Sequence, residues 1–316
     1  MTVPTSASTT SPARAARGFR HIAREYLELT KPRVVALIAF TAVVGMFLAT
    51  PGFPPLANFL FGALGIALAA GSAAAFNHVL DRSADAEMAR TRARPLPTGQ
   101  LRTREALLFA FVLGGISMAV LVSAVNLLTA ALTFASLIGY SVVYTLYLKR
   151  ATPQNIVIGG AAGAAPPVLG WTAITGQVAP DALLLFLIIF VWTPPHFWAL
   201  ALYRREEYAR VSIPMLPVTH GSEYTRLHVL LYTVLLAAVS VLPFTTRMSG
   251  PLYLVGVLAL DALYLRYAWR LYREYSDALA RRAFRYSIEY LALLFALLLI
   301  DHYVVTIREA LQSALY

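Results

Sequence analysis

The chain alternates long apolar stretches with short polar connections, and the apolar stretches have the length of membrane spans. A helix that crosses the hydrocarbon core of a bilayer needs about 20 predominantly apolar residues. Nine stretches come close to that length, so the pattern predicts nine transmembrane helices. They lie near residues 34–50, 56–78, 106–124, 127–147, 156–174, 182–203, 227–246, 251–269 and 288–307.

The Lys and Arg residues test this count independently. If the chain has nine spans, all but two of the 26 Lys and Arg residues fall on one side of the membrane. They lie in the N-terminal arm and in the connections between spans 2 and 3, 4 and 5, 6 and 7, and 8 and 9. Only Arg247 and Arg308 fall on the opposite side. Because short cytoplasmic loops carry the excess of positive charge, the sequence predicts a cytoplasmic N-terminus and a C-terminus outside.

Composition supports a membrane protein and excludes some chemistries. The 316 residues are 59% hydrophobic and only 13% charged, whereas a soluble domain has roughly 25% charged residues. The net charge of +10 is divided among short blocks between apolar runs, which argues against a nucleic-acid surface. The absence of cysteine excludes disulfides, thiolate metal sites and cysteine nucleophiles.

Residues 1–24 contain Ser, Thr, Ala and Arg but no acidic residue. Organellar transit peptides and disordered bacterial arms share this composition. We interpret the segment as a disordered basic cytoplasmic arm of a bacterial inner-membrane protein, in preference to a mitochondrial one. Residues 25–316 are then expected to form one transmembrane domain.

The second predicted span ends with three polar residues spaced four apart, Asn77, Asp81 and Asp85. On a helix they share one face, where two like charges repel each other. One interpretation is a solvated helix end with incidental acids. Ionisable residues at membrane depth are generally functional, and oxygen ligands suit Mg²⁺ that also binds a ligand's phosphates. We therefore predict a Mg²⁺ site here.

Cations follow the acidic residues along the chain. Arg90, Arg92 and Arg94 lie in the same connection, and Lys149-Arg150 closes the fourth span. The positive-inside bias alone would supply several of them. Next to a carboxylate–Mg²⁺ site, however, such cations are what a diphosphate requires.

The sixth span carries the second group of unusual polar residues. Pro194-Pro195 is expected to break the helix within the membrane and to free backbone carbonyls there. His196 follows, either as an interior histidine with satisfied hydrogen bonds or as a ligand-contacting residue. Glu206-Glu207 then forms a second acidic site on the cytoplasmic side, predicted to bind metal.

The two acidic helix ends occupy corresponding places along the chain. Each follows the second span in a group of four, which predicts an internal repeat of spans 1–4 and 5–8 with the site between the halves. Acidic helix ends, cations and many aromatic residues fit a lipid-linked diphosphate substrate. No Walker loop or nucleotide-binding fingerprint is present in the sequence.

Several motifs resemble one known family. Asn77-x-x-x-Asp81-x-x-x-Asp85 resembles the first aspartate-rich motif of the UbiA-type intramembrane prenyltransferases, whose fold is nine transmembrane helices around a central cavity. Further stretches resemble the branch of that family that farnesylates heme. These are Arg90-Thr91-x-x-Arg94-Pro95-Leu96, Trp192-x-Pro194-Pro195-His196-Phe197 and Ile213-Pro214-Met215-Leu216-Pro217-Val218, which follows Tyr208.

The resemblance implies a reaction and roles for individual residues. Farnesyl diphosphate ionises, the 2-vinyl group of heme B attacks its C1 atom, and water captures the resulting cation, giving heme O and diphosphate. Asn77, Asp81 and Asp85 would hold Mg²⁺, with Glu206 or Glu207 completing a second metal site. Arg90, Arg94, Lys149 and Arg150 would bind the diphosphate, and His196 would serve the heme.

The Glu-Glu pair departs from the run of aspartates usual in the second motif of the family, which leaves open which residue binds the second metal. Heme B is implied as a substrate rather than a cofactor, and the next heme-modifying enzyme as a candidate partner.

Two other functions remain open at this stage. The first is the same fold with another acceptor, such as a quinone-precursor aromatic acid or a different tetrapyrrole. The second is a secondary transporter, in which broken helices, repeats and buried charges also occur. A transporter would carry its charges near the middle of the bilayer, whereas these acidic residues lie at helix ends on one side.

Overall fold

The computed structural model describes residues 18–314, except for the side chains of residue 305 and residues 308–314. Within this range the regular structure is entirely helical. The helices are α1 Phe19–Leu29, α2 Pro32–Leu48, α3 Leu56–Leu80, α4 Arg82–Glu87, α5 Thr103–Ala124, α6 Leu127–Ile138, a π-helix at Gly139–Leu148, α7 Lys149–Ala151, α8 Asn155–Ala164, α9 Pro166–Thr175, α10 Pro180–Tyr203, α11 Arg205–Arg210, α12 Leu216–Thr219, α13 Gly221–Ser240, α14 Leu242–Thr245, α15 Pro251–Arg273 and α16 Asp277–Ala314.

Eight helical segments of the described chain are long and apolar enough to cross a membrane, and a bent pair brings the number to nine. The fold class predicted from the sequence is therefore confirmed. The protein is an integral membrane protein with multiple spans. Apolar side chains such as Phe111 and Val255 remain exposed on the outer helix faces, as expected where lipid rather than water surrounds the helices.

The bent pair is α1 and α2, which meet at an angle of 56°. Lys31 lies at the bend with a left-handed φ of 52°, and Pro32 follows at the first position of α2. Proline fits that position because its missing N–H has no intrahelical acceptor there. The disordered arm predicted over residues 1–24 is wrong for residues 19–24, which belong to α1, a helix that buries Glu25 and Leu29. Residues 1–17 lie outside the described part of the chain.

Two of the other spans contain interruptions that affect the site. The fifth span divides into α8 and α9 at Ala165, directly before Pro166-Pro167, because proline cannot donate the next helical hydrogen bond. In the fourth span, α6 widens into the π-helix Gly139–Leu148. Wide turns of this kind are rare and occur mostly at functional sites.

Proline does not interrupt the sixth span. The helix break predicted at Pro194-Pro195 is wrong, since α10 runs continuously from Pro180 to Tyr203 through both residues. Proline is tolerated inside a membrane helix that is enclosed by other helices. Here α10 packs against α8, α13 and α16.

The last span is longer than its apolar stretch. Hydrophobicity predicts a start near residue 288, but α16 begins at Asp277. The connection between the eighth and ninth spans therefore consists only of residues 274–276. The arginines that the sequence analysis assigned to this connection lie in the ends of α15 and α16. Both helices thus extend past the apolar region on their charged side.

Helices α2 and α9 cross in close contact. A Cβ atom added to Gly45 would lie 2.3 Å from the carbonyl oxygen of Pro167. A Cβ atom added to Gly170 would lie 1.9 Å from the carbonyl oxygen of Ala42. Glycine is therefore required on both helices, because only a residue without a side chain permits this backbone approach.

Candidate functional site

The three polar residues around the junction of α3 and α4 form a buried cluster. Asn77, Asp81 and Asp85 are each only 5% exposed. The Asn77 side-chain amide donates a 2.7 Å hydrogen bond to Asp81 Oδ2. A helical turn thus brings the motif together as the sequence predicts, and buried carboxylates need compensating charge.

Three cations from different parts of the chain supply that charge. Lys149 Nζ lies 2.5 Å from Asp81 Oδ2, and Arg94 Nη1 lies 2.6 Å from Asp85 Oδ2. Lys31 donates to Asn77 Oδ1 from the bend between α1 and α2. Arg94 and Lys149 balance the two carboxylates, and Lys31 adds a third basic side chain that can bind an anionic ligand.

The donor atoms of this cluster fit Mg²⁺ in kind. They are carboxylate and amide oxygens, and Mg²⁺ commonly takes one or two protein carboxylates together with water and substrate phosphates. Among the described residues, no group of three or more acidic or histidine side chains converges on one point.

Aromatic residues lie beside the acidic cluster. Tyr140 and Tyr144 of the π-helix are stacked with their ring centroids 5.6 Å apart. Both are within electrostatic range of Asp81. Thr145 of the same π-helix lies 3.4 Å from the Asn77 amide. The widened helix thus brings the Thr145 hydroxyl to the end of α3, and Tyr140 and Tyr144 lie on the same helix.

Tyr208 in α11 is buried close to the same region. Burial raises its pKa, and the nearby Arg90 guanidinium opposes that rise. Arg90 also acts electrostatically on Tyr203. Arg90 and Arg150 are both exposed, whereas Arg94 and Lys149 pair directly with the acidic cluster. The four cations predicted for diphosphate binding therefore divide into two that contact the carboxylates and two at the surface.

The Glu206-Glu207 pair lines a separate cavity of about 340 Å³ on the predicted cytoplasmic side. Glu207 Oε1 pairs with Arg204 Nη1, and Glu207 Oε2 is buried without a hydrogen-bond partner among the described residues. Arg205 and Asp277 also line this cavity. Its charges are mixed, and the metal-binding role of the two glutamates stays a prediction.

His196 lies between two rings on the buried side of α10. Trp192 stacks on it at 4.3 Å and an interplanar angle of 18°, and Phe284 of α16 at 4.7 Å and 26°. The whole residue is 8% exposed. Because rings cover its faces, only the edge of the imidazole can meet a ligand.

A hydrogen bond orients that edge. His196 Nδ1 lies 2.6 Å from Ser287 Oγ. The Ser287 hydroxyl donates to the carbonyl oxygen of Phe284 at 2.7 Å, so its oxygen is left to accept the Nδ1–H proton. This arrangement assigns the proton of neutral His196 to Nδ1 and the lone pair to Nε2. An imidazole with a free Nε2 lone pair can ligate a metal or accept a proton.

Sequence reasoning missed several residues of the site. Lys31 counted only as a charge of the N-terminal arm, although a lysine directly before a proline at the start of a span is a recognisable signal. Tyr140, Tyr144 and Ser287 gave no local signal, because they reach the site only through helix packing. His78 is buried with both ring nitrogens unpaired within the described structure, and no described contact explains it.

The fold and this acidic, cation-lined cluster define a class of membrane enzyme. The profile of the UbiA prenyltransferase family matches residues 38–299, and the chain belongs to this family. Two curated relatives bear the name protoheme IX farnesyltransferase. The protein of Thiobacillus denitrificans is 64% identical over 280 residues, covering 89% of this chain and 94% of its own length. That of Marinobacter nauticus is 64% identical over 281 residues, covering 89% and 93%.

Solved structures agree in fold at much lower identity. A structure described as digeranylgeranylglyceryl phosphate synthase superposes with a TM-score of 0.75 at 17% identity, covering 89% of this chain and 98% of that one. A UbiA homologue from Archaeoglobus fulgidus, described as bound to DMAPP and Mg²⁺, gives 0.62 at 19% identity, covering 87% and 99%. This likeness confirms the UbiA-like fold.

Proposed function

We propose that this protein transfers the farnesyl group of farnesyl diphosphate to the 2-vinyl group of heme B, with addition of water, to give heme O and diphosphate. The observation that carries the proposal is the 64% identity, over 89% of the chain, to relatives named protoheme IX farnesyltransferase. The buried Asp81–Asp85 cluster with its three cations supports the diphosphate half of the reaction.

We assign Asn77, Asp81 and Asp85 to the binding of Mg²⁺ together with the diphosphate. Their oxygen donors support this role, as does the description of UbiA homologues bound to Mg²⁺ and prenyl diphosphates. When bound, Mg²⁺ supplies positive charge that stabilises the leaving diphosphate. Glu206 or Glu207 completes a second metal site in this proposal.

Arg94, Lys149 and Lys31 bind the diphosphate oxygens. In the described structure these cations pair with Asp85, Asp81 and Asn77. They are therefore already fixed in position next to the carboxylates, and little reorganisation is needed when the substrate enters. Preorganised cations of this kind stabilise charge that develops on a leaving group. Arg90 and Arg150 add to the positive surface around the entrance.

We assign the stacked rings of Tyr140 and Tyr144 to the site where the C1–oxygen bond of the diphosphate breaks. An allylic cation is attracted to the negative face of an aromatic ring. Both tyrosines are within electrostatic range of Asp81, which supports a position close to the diphosphate end of the prenyl chain. Their role is to stabilise the farnesyl cation until the vinyl group attacks.

His196 serves the heme. Its ring is held by Trp192, Phe284 and Ser287, and Nε2 carries the lone pair. A flat, apolar macrocycle is suited to the aromatic surroundings of this residue. In the expected topology the protein lies in the inner membrane of a bacterium with its N-terminus in the cytoplasm.

The reaction itself tests the proposal. Purified protein in lipid nanodiscs is incubated with heme B, farnesyl diphosphate and Mg²⁺, and the porphyrin mass is measured by chromatography and mass spectrometry. We expect a mass gain equal to farnesyl plus water, absent with EDTA and with Asp81→Ala. Unchanged heme in the presence of folded protein that binds farnesyl diphosphate would indicate a different acceptor.

A further inference from the structure

Aromatic side chains of α10 and α16 contact each other from His196 to the predicted cytoplasmic ends of both helices. We call this line of contacts the seam. Phe284 stacks on His196, and its ring centroid lies 6.3 Å from that of Tyr203. Tyr203 is two helical turns further along α10 than His196. At about 1.5 Å per residue, the seam is therefore roughly 10 Å long.

Positive charge collects at the outer end of this seam. The Arg281 guanidinium lies 5.2 Å from the centre of the Tyr203 ring, and that of Arg204 lies 5.5 Å from it. Arg90 also acts electrostatically on the Tyr203 hydroxyl. Glu207 balances the charge of Arg204, so the positive charge that can attract an anion at this ring comes mainly from Arg281.

The three arginines differ in whether a carboxylate neutralises their charge. Arg204 is paired with Glu207 and is thereby partly neutralised. Arg281 has no carboxylate within ion-pair distance among the described residues, and its side chain is exposed at the end of the seam. Arg282, its neighbour in sequence, is also exposed but is not found over the Tyr203 ring. Arg281 is thus the arginine of the seam that remains available to a ligand.

We propose that Arg281 binds a carboxylate of the tetrapyrrole substrate while the macrocycle lies along the seam against Phe284 and the edge of His196. This inference rests on the proposed function, since heme B is the substrate that carries two propionate groups on one edge. A carboxylate inside the bilayer is costly. The propionate edge therefore lies at the charged helix ends.

This subsite predicts which tetrapyrroles the protein binds more tightly. Tetrapyrroles with free carboxylates are bound through Arg281, whereas esterified ones lose that interaction and keep only the aromatic contacts. A charge-assisted hydrogen bond of this kind corresponds to about tenfold in affinity. The farnesyl diphosphate site is separate and is unaffected by the ester.

The test compares heme with its dimethyl ester by absorbance titration of the protein in nanodiscs. We expect the wild type to bind heme about tenfold more tightly than the ester. Arg281→Gln should bind both ligands with the affinity that the wild type shows for the ester, and Arg281→Lys should recover part of the preference. Arg282→Gln is the matched control and should keep the full preference. Affinity for farnesyl diphosphate, measured in parallel, should not change in any variant and reports correct folding.

The outcomes separate this inference from the proposed function. If the wild type binds heme but does not distinguish it from the ester, or if Arg281→Gln weakens both ligands equally, the carboxylate subsite is overturned and heme farnesylation stands. If the wild type binds neither heme nor the ester while binding farnesyl diphosphate, the proposed acceptor fails, and the subsite fails with it.

Discussion

Lys149 and Asp81 form a 2.5 Å ion pair although they are 68 residues apart in the chain. Lys149 begins the short helix directly after the π-helix of the fourth span, and Asp81 follows the second span. The pair therefore depends on how α3 packs against the π-helix. It also places a cation where the diphosphate of a prenyl substrate is expected.

Removing the charge of Lys149 should lower catalysis. We expect Lys149→Met to reduce kcat/KM for farnesyl diphosphate about 100-fold, because one preorganised cation at a developing negative charge commonly has this effect. Steady-state kinetics with heme at saturation measures it. Arg150→Met is the comparison, and the loss should be much smaller because Arg150 is exposed. Equal losses in the two variants would contradict the assignment.

Replacing Asp81 by its isostere tests the metal site. Asp81→Asn keeps the size of the side chain but removes its charge, so the Mg²⁺ concentration required for half-maximal activity should rise at least about tenfold. The measurement is a Mg²⁺ titration of heme O formation after treatment with EDTA. Glu87→Gln serves as the control, because Glu87 is an exposed acid of the neighbouring helix α4. An unaltered Mg²⁺ dependence in Asp81→Asn would rule out Asp81 as a ligand.

The hydrogen bond that His196 donates to Ser287 should affect the heme and not the prenyl donor. His196→Gln is expected to raise the KM for heme, and Ser287→Ala should raise it less, because the imidazole is retained but loses its fixed orientation. Ser287→Thr should restore most of the wild-type behaviour. Kinetics at saturating farnesyl diphosphate separate the two substrates. The assignment is wrong if Ser287→Ala alters the KM for farnesyl diphosphate instead.

The crossing of α2 and α9 should tolerate no side chain at Gly170. Gly170→Ala places a Cβ atom 1.9 Å from the Ala42 carbonyl oxygen, and overpacking of this kind typically costs about 1–3 kcal/mol. Thermal unfolding in detergent measures the loss. Gly163→Ala is the control, since its Cβ atom would meet nothing within 4 Å. Equal stability of both variants would mean that the helices separate easily at this crossing.

Much of the architecture could be predicted from the sequence because the bilayer imposes it. Span length follows from membrane thickness, so eight long helical segments and the bent pair appear where apolar stretches occur. The spacing of Asn77, Asp81 and Asp85 is similarly local, because one helical period brings them onto one face. The internal repeat of spans 1–4 and 5–8 and the single domain over residues 25–316 stay predictions.

Two predictions about local structure were wrong because contacts between helices, which the pattern of apolar residues does not show, decide the structure at those places. Pro194-Pro195 was expected to break α10, but packing against three helices holds that helix together. Residues 19–24 were expected to be disordered, but they form the start of α1, which buries Glu25 and Leu29. In both places, tertiary contacts outweigh the local preference.

The sequence by itself determined that this protein is a helical membrane protein with acidic and basic groups on one side, because hydrophobic length, loop charge and helical spacing are properties of neighbouring residues. Only the tertiary structure decided which groups meet. Lys31 reaches Asn77 across 46 residues, and Ser287 reaches His196 across 91. Such contacts depend on how separate helices pack, and packing is set by the whole bundle rather than by any one segment.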